Sequence, residues 1–299
     1  MKPTLLVLAA GMGSRYGSLK QLDSFGPNGE TIIDYSVYDA IKAGFGKIVF
    51  IVRESFKDEI SSVFTQRFGD KIKLEFVTQE IDKVPDFFDV PKERQKPWGT
   101  AHAVLMGASV IDEPFGVINA DDYYGVESYK TLADFLTQDT TDDYAVISYY
   151  LRNTLSEHGT VNRGVCNDDG TGNLSTIVER LKISKVEGGG EFTNEDGSKQ
   201  YLSNETLVSM NMFGFKPSFF KYTQEQFADF LRERGTEDKS EFFIPLVIDN
   251  LIKSGVLNVK LLACDSEWFG VTYKEDKPNV VNRINDLIER KIYPADLWA

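Results

Sequence analysis

Short apolar runs alternate with amphipathic segments through the first half of the chain. The runs that have the length and residue types of buried strands are 4–9, 48–52, 73–78 and 115–119. The segments with helical spacing of apolar residues are 33–43, closed by Gly44, then 56–66 and 127–136, and a further helix begins near Gly99. Because strands and helices alternate, we expect an α/β fold with a doubly wound, mixed and mostly parallel sheet.

The pattern changes near residue 144, where shorter strand-like pieces are separated by Gly, Asn and Asp turns. These pieces are 144–151, 160–166, 174–183 and 206–215. The polar segment 188–200 predicts a loop or the tip of a hairpin. Later helices are predicted at 218–232, 242–253 and 277–291, with a strand at 258–264. The second half therefore indicates a β-rich elaboration of the same domain, followed by C-terminal helices.

Composition and charge narrow the classes of partner. The 299 residues are 41% hydrophobic and 26% charged, enough apolar material for a sizeable core. The formal net charge of −13 disfavours nucleic acid and anionic membranes as partners. Cys166 and Cys264 are too few for a disulfide scaffold, which favours a reducing compartment. No run approaches the roughly 20 apolar residues of a membrane helix, and 5–10 is too short a run to indicate a signal peptide, so we expect a cytoplasmic protein.

A glycine-rich basic loop follows the first predicted strand, in the segment LAAGMGSRYGSLKQL at 8–22. Ligands of open α/β sheets bind beyond the carboxyl ends of strands, so this loop lies where a ligand is expected. Gly11 and Gly13 allow backbone N–H groups to approach an anion, and Arg15 and Lys20 supply positive charge. The segment predicts a phosphate-binding loop. The alternative is that the glycines only form a tight turn between strand and helix.

Three phosphate-loop patterns can be compared with this segment. The Walker A spacing is absent, and the dinucleotide fingerprint lacks its third glycine because Tyr16 occupies that position. The signature of sugar nucleotidyltransferases, approximately L-A-A-G-x-G-[TS]-R followed by a lysine, resembles the segment closely. The resemblance implies nucleotide-binding roles for three residues and catalytic roles for two more. These are Ala10, Gly11 and Gly13 for nucleotide binding, and Arg15 and Lys20 for catalysis.

Two further segments resemble the part of that family which reads the nucleobase. Gln79 follows the predicted strand 73–78, and KPWGTAHAV at 96–104 resembles the family segment G-[LT]-x-x-A. The resemblance implies that Gln79, Gly99 and Thr100 face the base. An amide can donate and accept, as the edge of uracil or thymine requires. The alternatives are that Gln79 is an exposed residue at a strand end and that Gly99 merely starts a helix.

NADDYYG at 119–125 resembles the metal-binding stretch of the family, with Asp121 at the position of its aspartate. Carboxylates at a strand end suit Mg²⁺. The alternative is that Asp121 and Asp122 cap the next helix, and the role of Asp122 is left open. Gly270 stands where many relatives have a second metal aspartate, so we expect Asp276, or Glu275, to supply that carboxylate unless these residues only cap the last helix.

Segments of the second half resemble the sugar-binding part of the family. HGTVNRGVC at 158–166 and IVERLKI at 177–183 provide Gly159, Glu179 and Lys182, and Asn211 matches the position of a sugar-contacting asparagine. Each of these residues is also compatible with a turn or with the surface of a strand. Their order along the chain supports the functional interpretation.

The resemblance implies a GT-A-like, Rossmann-type fold in a single nucleotidyltransferase domain, 1–299. Its parts are a nucleotide-binding half at 1–143, a sugar-side half at 144–265 and a C-terminal helical segment at 266–299. The implied reaction joins an NTP, UTP or dTTP, to a sugar-1-phosphate, with Mg²⁺ as cofactor and pyrophosphate as leaving group. The alternatives are an NADP-type oxidoreductase, a non-catalytic sugar-nucleotide-binding protein and, within the transferases, a glycosyltransferase or an alcohol-phosphate cytidylyltransferase. Members of the family often form homo-oligomers.

Overall fold

The computed structural model describes residues 1–11, 22–156, 159–194, 196–270 and 276–299. The helices are α1 Ile32–Ala43, α2 Glu54–Phe68, α3 Thr100–Met106, α4 Val126–Gln138, α5 Ser218–Arg234, α6 Ile244–Lys253 and α7 Lys277–Glu289. The strands are β1 Thr4–Leu8, β2 Lys47–Val52, β3 Lys73–Thr78, β4 Phe115–Asn119, β5 Asp122–Tyr123, β6 Tyr144–Tyr150, β7 Thr160–Asp168, β8 Leu174–Val186, β9 Gly189–Thr193, β10 Lys199–Ser203, β11 Leu207–Phe215, β12 Val259–Cys264 and β13 Phe269–Gly270.

One mixed sheet organises the described part of the chain. Its main order is β10-β9-β8-β7-β11-β4-β1-β2-β3, and β6 pairs with both β11 and β12. The strands β4, β1, β2 and β3 are parallel neighbours, as are β6 and β12. The strands β7 to β11 pair antiparallel with their neighbours. The expected α/β fold with a mixed sheet and a β-rich elaboration is therefore confirmed. The expectation that the sheet is mostly parallel is wrong for the described strands, because the β-rich elaboration adds more antiparallel pairs than there are parallel ones.

The first helix shows how the local sequence sets an element's limits. Thr31 and Asp34 form a capping box at the start of α1: the Thr31 side chain accepts from the Asp34 N–H, and Asp34 accepts from the Thr31 N–H at 2.7 Å. Gly44 ends the helix in the left-handed conformation, with φ +98°, which glycine adopts readily. The predicted helix at 33–43 is confirmed within one residue.

Two hydrophobic cores lie on opposite faces of the sheet. Consecutive side chains of a strand point to opposite faces, and in β1 Leu5 and Val7 belong to one core while Leu6 belongs to the other. The first core contains the buried faces of α1, α2 and α4, and the second contains those of α3, α5 and α6. Helices therefore cover both faces, as expected of a doubly wound sheet.

A third core is built around two very short strands that the sequence pattern does not indicate. β5 pairs antiparallel with β13, and Tyr123 stacks on Phe269 with ring centroids 4.4 Å apart. Ile284 of α7 and Tyr293 complete this cluster. The predicted loop or hairpin tip at 188–200 consists largely of the paired strands β9 and β10. In the parts of the chain that the structure describes, no helix combines the length and the apolar character needed to span a bilayer.

Candidate active site

The segments that follow β1 and β4 begin side by side at one edge of the sheet. Leu8 and Asn119 are partners in the parallel register, and the Ala120 N–H donates to the Leu8 carbonyl at 3.1 Å. Gly11 is exposed shortly after β1, and Asp121 is half-buried in the turn after β4. The described start of the predicted phosphate-binding segment, residues 8–11, and the predicted metal-binding segment therefore share this edge. The edge lies at the carboxyl ends of parallel strands, where ligands of open sheets bind.

The structure describes only the first residues of the predicted phosphate loop. Ala10 is buried in the core beneath α3, and its carbonyl accepts from the Arg53 Nε at 3.4 Å. Gly13, Arg15 and Lys20 lie outside the described residues, and their roles stay predictions.

Two of the three residues predicted to read a nucleobase, Gln79 and Gly99, are in direct contact. Gln79 is only 5% exposed, and its Nε2 donates to the Gly99 carbonyl at 3.0 Å. The interpretation of Gln79 as an exposed strand-end residue is therefore wrong. Gly99 is also the N-cap of α3, with φ +107°. The Thr100 hydroxyl accepts from the Ile244 N–H at 3.2 Å, so that side chain ties α3 to the start of α6.

A polar cavity of about 120 Å³ opens beside the end of β4. It lies among β4, β5, β7, β8, β11 and the start of α6, and most of its lining side chains carry hydrogen-bonding groups. The lining residues are Asn119, Asp122, Asn162, Gly164, Ile177, Glu179, Ser209, Met210, Asn211 and Pro245. Two residues singled out from the sequence, Glu179 and Asn211, therefore line one cavity. Small-molecule sites are concave and place a few polar groups of this kind.

A β-bulge places Asn211 at the cavity. The pairing of β11 with β6 shifts register between Ser209 and Met212, and Asn211 has φ +62°. Its N–H donates to the Ser209 hydroxyl at 3.3 Å. A bulge re-aims a side chain, and asparagine tolerates the left-handed conformation better than most residues. The local backbone thus explains why asparagine occupies this position.

A buried arginine sets the electrostatics of the cavity wall. The Arg163 guanidinium lies 4.8 Å from the centre of the Trp268 ring and donates to the Asn162 carbonyl at 2.7 Å. Burial lowers the pKa of Arg163 to about 10, and the charges of Asp122 and Glu179 oppose that shift, so the group is cationic at neutral pH. Burial raises the pKa of the Glu179 carboxyl, and Arg163 opposes that rise.

Asp122 is the site residue whose role the sequence leaves open. It is 9% exposed, lines the cavity, and accepts from the Asn119 side-chain amide at 2.9 Å. Its partner in the β5–β13 pairing is Gly270, and a Cβ added to Gly270 would lie 2.5 Å from the Asp122 Oδ1. The Asp122 carboxylate therefore fills space that a side chain at position 270 would need. The N-cap of α4 is Gly125, so the interpretation of Asp121 and Asp122 as its caps is wrong.

Several predicted site residues do not line this cavity, among them Gly159, Lys182 and Asp276. Gly159 and Lys182 are exposed and have φ +101° and +54°, and the Lys182 N–H donates to the Asn162 Oδ1 at 2.9 Å. Lys182 lies next to a register shift between β7 and β8. Asp276 is the N-cap of α7, but its side chain makes no capping hydrogen bond. Glu275 lies outside the described residues. No observation assigns these three residues to the cavity.

Sequence reasoning missed several residues of the site: Asn119, Asn162, Arg163 and Ser209. The order of motifs indicated their segments, but not their side chains. A charged residue within the strand-like run 160–166 is the one signal that could have singled out Arg163. The carboxylate pair Asp121 and Asp122 has the hard oxygen donors that Mg²⁺ prefers, and one or two carboxylates suffice when a ligand adds phosphates. Among the described residues, no group of three or more His, Cys, Asp or Glu side chains forms a fuller metal site.

Comparisons with known proteins agree with this fold. A sequence model of the nucleotidyl transferase family matches residues 5–271, and a search of curated proteins finds no match. The inositol-1-phosphate CTP transferase from T. maritima has a TM-score of 0.64 and 14% identity, covering 96% of this chain and 97% of that chain. A Bacillus anthracis protein assigned as a glucose-1-phosphate thymidylyltransferase, solved in complex with a sucrose, has a TM-score of 0.61 and 15% identity, covering 95% of each chain.

Both structural likenesses lie at low identity and show a shared fold. The sequence match to the family is independent of them and spans nearly the whole described sheet, from the start of β1 to the residue after β13. We conclude that the chain belongs to the nucleotidyl transferase family.

Proposed function

We propose that this nucleotidyl transferase joins UTP or dTTP to a sugar-1-phosphate, forming a nucleoside-diphosphate sugar and pyrophosphate with Mg²⁺ as cofactor. The observation that carries the proposal is the polar cavity beside the end of β4. Glu179 provides acceptors for sugar hydroxyls, while Asn162 and Asn211 can both donate and accept. The cavity adjoins the edge of the sheet where β1 and β4 end, just before the glycine loop and Asp121. The phosphate of a sugar bound in the cavity would lie toward that edge.

The proposed reaction needs no nucleophile from the protein. An oxygen of the sugar-1-phosphate attacks the α-phosphorus of the triphosphate and forms a new P–O bond. The bond from the α-phosphorus to the bridging β-oxygen breaks, and the electron pair leaves with pyrophosphate. Catalysis then depends on alignment and on balancing negative charge. We propose that Arg15 and Lys20 supply the positive charge that balances the phosphates, because their loop resembles the family signature.

Asp121 and Asp122 are the residues that would hold the metal. A bound divalent ion would offset charge on the reacting phosphates. We favour Asp122 over Asp276 as the second carboxylate because its Oδ1 lies in the space that a side chain at position 270 would occupy. Asp122 is also fixed in place by the Asn119 amide.

A panel assay tests the function directly. Each NTP is combined with a set of sugar-1-phosphates and Mg²⁺, and pyrophosphate release is measured. We expect release with UTP or dTTP and at least one sugar-1-phosphate. Lys20→Ala and Asp121→Asn should each lower kcat about 100-fold or more, because the first removes a positive charge that balances the phosphates and the second removes a carboxylate that would hold the metal.

Titration with Mn²⁺ separates metal binding from turnover. Asp121→Asn and Asp122→Asn should weaken Mn²⁺ binding, whereas Asp276→Asn serves as the matched control and should not. Full activity of Asp121→Asn, or no loss of Mn²⁺ affinity in Asp122→Asn, would contradict these assignments. Nucleotide-sugar binding without pyrophosphate release would instead support the non-catalytic alternative. Membership of the nucleotidyl transferase family disfavours the oxidoreductase.

A further inference from the structure

The amide of Gln79 is held by two acceptors inside the protein. Its Nε2 donates to the Gly99 carbonyl at 3.0 Å and lies 3.1 Å from the His102 Nδ1. The same carbonyl also accepts from the Ala103 N–H at 3.1 Å. A carbonyl oxygen can only accept, so the atom of Gln79 that faces it must be the nitrogen. This contact fixes which way the amide points.

The histidine contact leads to the same orientation. His102 is fully buried, and its Nε2 lies 2.7 Å from the Lys83 carbonyl, so Nε2 must carry a proton. Burial lowers the pKa of His102 to about 4, with the nearby Arg94 charge acting in the same direction. A neutral imidazole with a proton on Nε2 has an unprotonated Nδ1, which accepts from the second N–H of Gln79.

Both N–H groups of Gln79 are therefore engaged, and its carbonyl oxygen Oε1 remains. No residue of the described chain donates to Oε1, and this oxygen is not among the enclosed atoms that lack a partner. The opposite amide orientation would set Oε1 against the Gly99 carbonyl and the lone pair of the His102 Nδ1. An unsatisfied or opposed buried polar group destabilises the fold, and the opposite orientation would create two such contacts.

We propose that His102 is a positioning residue that locks the Gln79 amide so that only its carbonyl oxygen is offered to the nucleobase. This inference rests on the proposed function and on Gln79 lying at the base. A base that pairs with Oε1 must present an N–H. Uracil and thymine carry a proton on N3, whereas N3 of cytosine is an acceptor. The N–H donors on the cytosine ring belong to its exocyclic N4 amine, so a site in which Oε1 faces N3 of the base should bind UTP or dTTP in preference to CTP.

This inference changes the role expected of the amide. The sequence suggests that Gln79 both donates to the base and accepts from it, whereas the structure leaves Oε1 for the ligand and commits both donors to the protein. Which nucleobase Gln79 can bind then depends on the tautomer of His102. A residue buried behind the site thus decides what Gln79 can recognise.

Nitrogen-15 NMR of the histidine rings tests the lock without any activity. The chain has 2 histidines, so a His158→Gln variant identifies the signals of His102. We expect the His102 ring to carry its proton on Nε2 and to remain neutral from pH 5 to pH 9. A proton on Nδ1, or titration of His102 near neutral pH, would overturn the proposal.

Equilibrium titration with UTP, dTTP and CTP tests the selectivity in the absence of a sugar phosphate. The wild-type protein should bind UTP or dTTP at least about 10-fold more tightly than CTP, as expected when a polar contact is mispaired. His102→Phe keeps a planar ring but removes the acceptor, and it should weaken UTP binding and reduce the preference. His102→Gln, which can accept again, should restore part of it.

The outcomes distinguish this inference from the proposed function. Equal affinity for CTP and UTP in the wild-type protein overturns the inference, even if pyrophosphate is released. Selective UTP binding without any pyrophosphate release overturns the proposed function and leaves the inference standing. If the His102 variants do not fold, as judged by circular dichroism, the ring NMR and the wild-type titrations still decide the question.

Discussion

The carboxyl group of Asp39 is buried in α1 at the interface with Tyr293. Its Oδ2 accepts from the Tyr293 hydroxyl at 2.6 Å, and that hydroxyl lies 3.0 Å from the hydroxyl of Tyr123. The other oxygen, Oδ1, has no hydrogen-bond partner among the described residues. Burial raises the pKa of Asp39 to about 8, and the hydrogen bond from Tyr293 opposes this rise only in part. The group is therefore protonated in the folded protein at neutral pH.

A pH-dependent stability follows from this burial. The Asp39 carboxyl loses its proton near pH 4 in the unfolded chain but only near pH 8 in the folded protein. The contribution of Asp39 to the free energy of unfolding is therefore complete below about pH 4 and is lost as the pH rises to about 8. The slope reaches about 1.4 kcal/mol per pH unit for one group. Asp39→Asn should remove this slope. Urea unfolding at pH 5 and pH 8 measures it, and parallel changes in both proteins would contradict the prediction.

Single site residues differ in how far the sequence could predict them. Glu179 and Asn211 were identified from motif order, and the structure places both on one cavity. The position of Asp122 opposite Gly270 depends on a pairing between strands of two residues each, which carry no periodic pattern. The hydrogen bonds of His102 arise from contacts across the fold. Motif matching can find such residues but cannot determine what their atoms are free to bind.

At the scale of elements, Gly99 controls how α3 meets the segment before α6. A Cβ added there would lie 2.5 Å from the Phe242 carbonyl oxygen and 2.8 Å from its nitrogen. That nitrogen donates to the Trp98 carbonyl, and the Phe242 carbonyl accepts from the Ala101 N–H at 3.0 Å. Any side chain at position 99 must therefore displace two backbone contacts as well as adopt φ +107°.

Gly99→Ala should destabilise the protein more than a glycine substitution that strains only the backbone dihedral. Gly172 is the matched control, since it has φ +84° and no atom within 4 Å of an added Cβ. We expect about 1 kcal/mol for Gly172→Ala and about 3 kcal/mol or more for Gly99→Ala. Urea unfolding monitored by circular dichroism measures both. Equal losses of unfolding free energy in the two variants would show that the backbone of Phe242 can move away from an added Cβ without destabilising the protein.

Most long elements follow from the sequence because their periodic patterns are strong. The helix α1 and the strands β1 to β4 lie within one or two residues of the predicted ranges. The hairpin of β9 and β10 was less apparent because Gly189 and Gly190 begin it and polar residues dominate its second strand. Edge strands with few apolar residues bury little, so they leave little hydrophobic signal.

At the scale of the whole molecule, residues near the end of the sequence pack on the first two helices, α1 and α2. The Trp298 Nε1 donates to the Asp34 Oδ1 at 2.9 Å, and its ring lies 5.4 Å from that of Phe68. Asp34 is buried and also accepts from Arg67 at 2.6 Å. These contacts join the segment 266–299 to the segment 1–143. That the chain is a single domain stays a prediction, which unfolding can test.

If the chain is one domain, loosening this contact should lower the stability of the whole. Trp298→Ala removes part of the ring packing and a donor to Asp34, and we expect a loss of about 2 kcal/mol, less than for a fully buried tryptophan. Trp298→Phe keeps much of the packing and loses only the N–H, so about 1 kcal/mol is expected. Urea unfolding followed by circular dichroism should show one transition shifted in both variants. A main transition that stays in place while a minor one moves would mean that the segment 266–299 unfolds independently of the sheet.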